Sequence, residues 1–321
     1  MVRVTVLASG SKGNCTVVTT SRTRIVLDAG LSCREIVKRM RLRGEEPEKL
    51  DGVLITHEHQ DHVQGLSVLA RRWNVPVYAT EATHAAWKRW MTPRHTMSFN
   101  AWLELRRQQA AERASQGELP ELTAIPEEPP QPVHDDLRNC EQEIFVSPES
   151  SDPACLPCVE HIRAGISFDI GDITVTPFTI PHDAVDPVGF VLQAEGIRIV
   201  LATDLGYLAP NVRMHLRGAD LLILESNHDV EMLRDGPYPW AVKQRVLSRT
   251  GHLSNDAVGE YLAEEYDGGA RYLILAHISE SNNLPELARI CAERALSNRM
   301  GLLANAVLLA SQTIPLEPIQ L

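Results

Sequence analysis

The stretch "LITHEHQDHVQG", residues 54–65, decides the fold, because three histidines and an aspartate fall within six positions directly after an apolar run. These four residues are His57, His59, Asp61 and His62. Polar groups crowded at the end of a buried strand are costly unless one compact positive group satisfies them all. Neutral imidazoles and carboxylates are ligands that Zn²⁺ and similar ions accept. The stretch therefore predicts one wall of a metal site; a polar loop of surface histidines is the alternative.

Length and composition indicate a globular protein of one large domain or two small ones. The chain has 321 residues, of which 44% are hydrophobic, so it can bury a sizeable core. Its start, "MVRVTVLASG", has the alternation of a strand and not the pattern of a signal peptide. No stretch resembles a membrane span. We expect a cytoplasmic protein without membrane contact, and the scattered cysteines also suit a reducing compartment.

The net charge of −11 hides an uneven distribution. Residues 1–110 contain 17 basic and 10 acidic side chains, a net charge of +7, whereas the rest of the chain is strongly acidic. Five basic residues of the first third fall on one predicted helix: Arg34, Lys38, Arg39, Arg41 and Arg43. This helix could face a polyanion such as DNA, or it could simply present a solvated face.

Further candidate ligands follow other apolar runs of strand length. They are Asp28 after "TRIVL", His182 after "DITVTPFTIP", Asp204 after "IRIVLAT", Glu225 after "ADLLIL" and His277 after "RYLILA". We expect these strand ends to meet at one edge of a sheet structure. The predicted metal ligands are His57, His59, Asp61, His62, His182, Asp204 and His277. Seven ligands are too many for one tetrahedral ion but suit two ions that share the Asp204 carboxylate.

Residues 114–162 interrupt this pattern. Eight of the 20 prolines lie there, together with many acidic residues and little periodicity. Such a segment cannot bury enough apolar surface to offset its ordering entropy. We therefore predict a single domain over residues 1–321, interrupted by a partly disordered insertion at about 114–162. Cys155 and Cys158 form a C-x-x-C without a second pair, so a structural metal and plain loop cysteines both stay open.

The pattern H-x-H-x-D-H, followed by a distant His, Asp and His, resembles the metallo-β-lactamase superfamily. The resemblance implies an α/β fold, a four-layer αββα sandwich with the metals in a cleft between the sheet edges. It implies that His57, His59 and His182 hold one ion, and that Asp61, His62 and His277 hold the other. Asp204 would be shared by the two ions, and Asp28 would orient ligand side chains without binding an ion itself. The ions would be Zn²⁺ or Mn²⁺, with Fe²⁺ as a further option.

Smaller motifs resemble the YycJ/WalJ-type branch of this superfamily, regarded as double-stranded DNA exonucleases. They include "LASGSKGNC", "LDAGLS", "PHDAVDPVGF", "LESNHD", "GHLSN" and "AHISESNN". The resemblance implies a metal-dependent phosphodiesterase that acts on duplex DNA ends, with a metal-held hydroxide attacking phosphorus. Alternatives are a hydrolase of a small ester, thioester, lactone or nucleotide phosphodiester, and a non-catalytic metal-stabilised binding protein. The sequence leaves protein partners open.

Catalytic roles are expected for Asp61, Glu225 and His252. Glu225 and His252 resemble the glutamate–histidine pair of ribonuclease Z relatives and are candidates to supply a proton to the leaving oxygen. Alternatively, each ties down a loop. Five further residues are candidates for contact with substrate phosphate: Ser11, Lys12 and Asn14 in the turn "GSKGN", and Asn282 and Asn283. For the last two, capping of the following helix is the alternative.

Overall fold

The protein is described by a computed structural model over residues 1–92, 153–297 and 305–321. The chain divides into two compact units, residues 1–89 with 154–321 and residues 90–153. The first unit contains two seven-stranded sheets. In spatial order, the first sheet contains β14 (Ile319–Gln320), β1 (Arg3–Ala8), β2 (Cys15–Thr19), β3 (Arg24–Leu27), β4 (Gly52–Leu54), β5 (Val77–Thr80) and β6 (Val159–Ile162). The second contains β13 (Ala306–Leu309), β12 (Tyr272–Ala276), β11 (Leu221–Glu225), β10 (Ile197–Ala202), β9 (Val188–Ala194), β8 (Ile173–Thr179) and β7 (Phe168–Ile170).

Helices of the described residues connect these strands. They are α1 (Cys33–Leu42), α2 (Gln60–Val63), α3 (Leu66–Trp73), α4 (Glu81–Met91), α5 (Pro210–Leu216), α6 (Val230–Asp235), α7 (Trp240–Val246), α8 (Asn255–Glu264) and α9 (Pro285–Ser297), with a short 3₁₀ turn at Pro47–Lys49. The stretch "HVQGLSVLARRWN", residues 62–74, predicts one helix that starts near His62. The structure has two helices instead, α2 and α3, which are separated at Gly65. A β-carbon at Gly65 would lie 2.2 Å from the Leu31 carbonyl oxygen, a contact with a distant segment that the local sequence does not reveal.

The apolar core has two parts, which follow from the alternation of side chains along the strands. One part lies between the sheets and joins Ile25 and Leu54 of the first sheet to Phe190 and Ile274 of the second. The other part joins the outer face of the second sheet to α5, α8 and α9. Helix α1 buries Ile36, Val37 and Met40. The predicted α/β sandwich of two sheets with helices is confirmed.

Parallel pairing brings the functional strand ends together. Strands β3, β4, β5 and β6 run parallel, as do β10, β11, β12 and β13. Parallel neighbours end at the same edge of a sheet, which is where the candidate ligands follow. The predicted C-terminal boundary of the insertion, residue 162, is wrong. Strand β6 pairs with β5, so residues 159–162 belong to the first sheet. Residues 114–152 lie outside the described residues.

The predicted basic face of α1 is largely neutralised within the protein. Arg39 is buried, bonds to Glu35 and donates to the carbonyl oxygens of Leu7 (3.0 Å) and Gln312 (2.9 Å). Three other cations of the helix pair with carboxylates: Lys38 with Glu35, Arg41 with Glu48, and Arg43 with Glu317. Arg34, the fifth basic residue of the predicted face, is exposed. Four of the five cations are therefore engaged by partners within the protein. Among the described residues, no helix is long and apolar enough to cross a bilayer.

Candidate metal centre

Three histidines form the first group of candidate ligands. The Nδ1 atom of His59 lies 3.1 Å from His57 Nε2 and 3.3 Å from His182 Nε2. The other ring nitrogens of His57 and His182 have protein partners, the Thr56 hydroxyl at 3.0 Å and the Gly251 carbonyl at 3.3 Å. When those Nδ1 atoms carry the protons, both Nε2 atoms keep a lone pair for a metal. Three imidazole lone pairs therefore face one point.

Two histidines and two aspartates form the second group. His62 Nε2 lies 3.5 Å from Asp61 Oδ2 and 3.4 Å from Asp204 Oδ2. His277 Nε2 lies 3.5 Å from Asp61 Oδ2 and 3.3 Å from Asp204 Oδ1. A tetrahedral ion with ligand bonds of about 2.1 Å places its ligands about 3.4 Å apart. The spacing of the second group thus matches a four-coordinate cage.

Unpaired atoms show that this cage fits a cation. Asp204 Oδ2 and His277 Nε2 are both buried and have no hydrogen-bond partner. Buried polar atoms in this state are costly, and a metal ion is one of the few groups that satisfies a carboxylate oxygen and an imidazole lone pair together. All four ligand atoms lie within 4.8 Å of one another. The donor set of nitrogen and oxygen atoms suits divalent metal ions.

Two buried carboxylates orient the histidines of the second group. Asp28 Oδ2 accepts a hydrogen bond from His62 Nδ1 at 2.8 Å, and Glu225 Oε1 accepts one from His277 Nδ1 at 2.9 Å. In each case the proton is held on Nδ1, so that Nε2 is free to bind a metal. Asp28 lies where the resemblance places it, whereas this contact of Glu225 was not expected from the sequence.

Charges within the cluster shift the histidines in opposite directions. Burial, with the nearby His62 charge, lowers the pKa of His57 well below its usual value, so this imidazole is neutral. Burial also opposes the charged form of His62 and His277, but neighbouring carboxylates raise the pKa of both. Asp204 has a pKa lowered well below its usual value by His277 and His62, against the effect of burial. A metal that binds the second group must therefore displace protons from two imidazoles.

Three site residues adopt a left-handed backbone although none is glycine. The φ angles of Asp28, Asp204 and His277 are 60°, 61° and 53°. This conformation is strained for a residue with a side chain and concentrates at functional sites. Each residue lies just after a strand, where the chain must turn away from the sheet. A glycine is also needed at position 30, because a β-carbon there would lie 1.7 Å from the Asp61 carbonyl oxygen.

Glu225 and His252 form the pair that the resemblance suggests. His252 Nδ1 donates to Glu225 Oε1 at 2.7 Å, and Glu225 Oε2 accepts from the Leu205 amide at 2.8 Å. Burial raises the pKa of Glu225, but the charge and hydrogen bond of His252 and the contact with His277 lower it to about 2. Burial lowers the pKa of His252, yet Glu225 raises it overall. The pair therefore favours a carboxylate beside a protonated imidazole.

His252 is also close to both candidate metal groups. Its ring centroid lies 5.3 Å from that of His182 in the first group and 5.1 Å from that of His277 in the second. The side chain is 18% exposed. Because Nδ1 is occupied by Glu225, Nε2 is the ring nitrogen that remains for a substrate.

The three predicted phosphate contacts in the turn "GSKGN" lie in different environments. Ser11 and Lys12 are exposed, and Lys12 pairs with Glu280 at 2.6 Å. Asn14 is buried instead, and its amide nitrogen lies 3.1 Å from His62 Nε2 and 3.4 Å from Asp61 Oδ2. Asn14 therefore lies among the ligands of the second group, and its amide also donates to the Asp61 carbonyl oxygen at 3.3 Å. Contact of Ser11, Lys12 and Asn14 with phosphate stays a prediction.

Asn282 and Asn283 are buried in a loop network away from solvent. The Asn283 amide donates to the carbonyl oxygens of Ser226 (3.1 Å) and Asn227 (3.0 Å) and to Asn255. Its Oδ1 accepts from the Leu284 amide just before α9. These bonds tie Asn283 to the neighbouring loops, whereas Asn282 Oδ1 is buried and has no hydrogen-bond partner. Contact of the two asparagines with phosphate stays a prediction, with burial against it.

Two residues of the site escaped the sequence reasoning. The Thr56 hydroxyl lies 3.0 Å from both Asp28 carboxylate oxygens and 3.0 Å from His57 Nδ1. Its position directly before His57 was the available signal. Asp183 pairs with Arg245 and lies beside His182. Among the described residues, Cys155 and Cys158 belong to no group of metal-binding side chains, and both are exposed.

Comparison with known proteins agrees with this geometry. Residues 8–242 match the Metallo-beta-lactamase superfamily. The exodeoxyribonuclease YycJ of Bacillus anthracis is 31% identical over 92% of this chain and 89% of its own length. The exodeoxyribonuclease WalJ of Streptococcus pneumoniae strain D39 is 31% identical over 90% of this chain and 86% of its own. The metallo-beta-lactamase fold protein YhfI of Bacillus subtilis shares the fold, with a TM-score of 0.59 at 16% identity and 98% coverage of both chains.

Proposed function

This chain belongs to the metallo-beta-lactamase superfamily and is a metal-dependent hydrolase of the YycJ/WalJ type, and on that premise we propose that it is a two-metal exonuclease acting on DNA duplex ends. Among the described residues, three groups of side chains could hold a metal, and the third (Asp204, Glu225, His252 and His277) overlaps the second. The first two groups support two ions, and we assign Glu225 and His252 of the third to orientation and proton transfer. The similarity to the exodeoxyribonucleases YycJ and WalJ supports DNA as the substrate. Asp204 faces the second group through both oxygens, and we propose that it also reaches the first ion. Zn²⁺ and Mn²⁺ suit these ligands, with Fe²⁺ as an option.

The residues of this chain have separate tasks in that reaction. When bound, the ions lower the pKa of water and neutralise charge on a phosphodiester. Asp61, His62 and His277 hold one ion, and His57, His59 and His182 hold the other. Asp28 and Glu225 accept from Nδ1 of His62 and His277, so that Nε2 is the ring nitrogen that would bind the ion once its proton is displaced. No side chain of the metal groups can donate a proton while it is bound, so the leaving oxygen needs another donor.

We assign this donor to His252, and its position carries the proposal. The imidazole lies between the two metal groups, is partly exposed, and is held by a buried carboxylate at 2.7 Å. Glu225 raises the pKa of His252, which keeps a proton available at neutral pH. A hydrolase of activated esters or thioesters would gain little from such a donor, because its leaving groups depart without protonation.

Digestion of an end-labelled DNA duplex by metal-reconstituted protein tests the proposal. We expect mononucleotide release that stops with chelator and is abolished in Asp204→Ala. In His252→Ala the rate should fall by a factor of about 10² to 10⁴ on DNA but much less on bis-p-nitrophenyl phosphate, whose leaving group needs no proton. His161→Ala replaces an exposed histidine outside the ligand groups and serves as the control. Intact DNA with all metals, together with thioester turnover, would refute the nuclease.

A further inference from the structure

One surface beside the metal centre has the composition of a nucleic-acid contact and no part in the chemistry above. It is formed by residues 237–250, "PYPWAVKQRVLSRT", which we call the rim segment. The segment contains Lys243, Arg245 and Arg249 but no acidic residue, within a chain of net charge −11. Helix α7 forms its centre.

Backbone contacts fix the rim segment against the site. The Asp183 amide donates to the Thr250 carbonyl at 3.0 Å, and the His252 amide donates to the Val246 carbonyl at 3.0 Å. Gly206, two residues after Asp204, allows the chain to come this close, because a β-carbon there would lie 2.4 Å from the Arg249 carbonyl carbon. The segment therefore joins the loops that carry His182, Asp204 and His252.

Two arginines of the segment present their charge at this edge. Arg245 is 61% exposed and is held by Asp183, the neighbour of His182. Arg249 is exposed, and its guanidinium lies 4.1 Å from the centre of the Tyr207 ring. Lys243 is different, because its ammonium group donates to the carbonyl oxygens of Arg234 (2.7 Å) and Gly236 (2.8 Å). Arg249 is thus an exposed cation without a carboxylate partner among the described residues, and Arg245 is an exposed cation that a phosphate would share with Asp183.

An aromatic side chain lies on the same short segment. Trp240 is 65% exposed at the first position of α7, and Val242 and Leu247 are exposed as well. Every nucleobase has a face that can stack on an exposed indole ring. Arginine guanidinium groups pair with phosphate oxygens. The combination suits a polyanion with flat apolar bases and suits a small ester poorly.

We propose that the rim segment binds the DNA strand beside the hydrolysed phosphodiester, with Arg245 and Arg249 on backbone phosphates and Trp240 stacked on a base. This inference rests on the proposed function and names the surface that would recognise the substrate. It takes the place of the predicted basic face of α1, where four of the five cations are engaged within the protein. Two phosphate contacts should contribute about 1.8 to the slope of log affinity against log salt concentration.

Equilibrium binding tests the proposal with the metal-loaded protein and a fluorescein-labelled duplex whose phosphorothioate ends resist hydrolysis. In the double variant Arg245→Gln/Arg249→Gln the salt slope should fall by about 1.8, whereas Arg245→Lys/Arg249→Lys should retain it. Trp240→Ala should weaken binding by a factor of about 5 to 150 at every salt concentration without changing the slope. Melting temperatures verify that each variant is folded.

Two matched controls separate this surface from general loss of charge. Arg22→Gln removes an exposed arginine that pairs with an aspartate, Asp172, as Arg245 does. Arg271→Gln removes an arginine that lies over a tyrosine ring, Tyr272, as Arg249 does. Both should bind DNA like the wild type. If the wild type binds and degrades DNA but the rim variants match the controls, the rim proposal is wrong and the nuclease stands; a wild type that neither binds nor degrades DNA overturns both.

Discussion

Replacing Asp28 with asparagine removes one hydrogen bond that a metal ligand needs and changes little else. The two side chains have the same shape, and asparagine tolerates the left-handed backbone found at this position. Asp28 Oδ1 accepts from the Thr56 amide at 2.9 Å and Oδ2 accepts from His62 Nδ1 at 2.8 Å. Whichever way the asparagine amide turns, its NH₂ group meets one of these donors. When the NH₂ group faces His62 Nδ1, the favoured tautomer of His62 carries its proton on Nε2, and this proton blocks metal binding.

The size of the effect follows from this tautomer change. Loss of a group that orients a metal ligand costs about 10- to 100-fold in metal affinity, or about 1.4–2.7 kcal/mol. At a fixed excess of metal, stabilisation by binding falls by the same free energy. At about 2–4 °C per kcal/mol, the rise in melting temperature on adding metal should be about 3 to 10 °C smaller in Asp28→Asn. The ion held by His57, His59 and His182 should be unaffected.

Competition with a chelator measures the two affinities, and thermal unfolding with and without metal measures the stabilisation. Asp172→Asn is a suitable control, because Asp172 also accepts from a threonine hydroxyl, that of Thr20 at 2.7 Å, but lies in no ligand group. Equal affinities at both sites in Asp28→Asn and wild type would refute the reasoning. So would a loss confined to the first ion, since Asp28 bonds to His62 of the second group.

Three further predictions follow from the same contacts. Gly30→Ala places a β-carbon 1.7 Å from the Asp61 carbonyl oxygen, so unfolding by denaturant should show a loss of about 3 kcal/mol or more and the second ion should be lost on dialysis. Removing both ions should lower the free energy of unfolding by about 4 kcal/mol per site held at 1,000 times its Kd, visible as a lower melting temperature in chelator. Burial lowers the pKa of His228 to about 4. As the pH falls below about 6.5, His228 is protonated in the unfolded chain but stays neutral in the folded chain. The free energy of unfolding should therefore fall by about 3 kcal/mol as the pH is lowered from 6.5 to 4. His228→Gln should remove this part of the slope in urea titrations, and an unchanged slope would contradict the assignment.

Local sequence indicated the candidate metal ligands because they come after apolar runs of strand length. The pattern alone places His57, His182 and His277 at strand ends, and parallel pairing brings those ends together. Partners contributed by distant segments could not be predicted in this way. Arg39 bonds to the carbonyl of Gln312, 273 residues away, so counting charges along α1 could not reveal that this guanidinium is buried.

Glu225 shows the same limit inside the site. Its place after β11 indicated a functional carboxylate, but the sequence suggested only one partner, His252. The structure gives Oε1 a second partner, His277, through the pairing of β11 with β12. Thr56 was missed for a related reason, since a hydroxyl beside a histidine has many ordinary explanations. Its contacts with Asp28 and His57 depend on β3 and β4 being neighbours.

These contacts couple the free energy of metal binding to the free energy of folding. Asp28, Asp204 and His277 are held in a strained backbone conformation, and two buried ligand atoms have no partner within the protein. Each of these features opposes folding, by about 1–3 kcal/mol for a strained residue. Glycine would relieve the backbone at Asp204 and His277 but would remove the ligands. In the proposed two-metal enzyme, the core of the two sheets would hold the strand ends in place, and bound ions would offset the cost of bringing those side chains together.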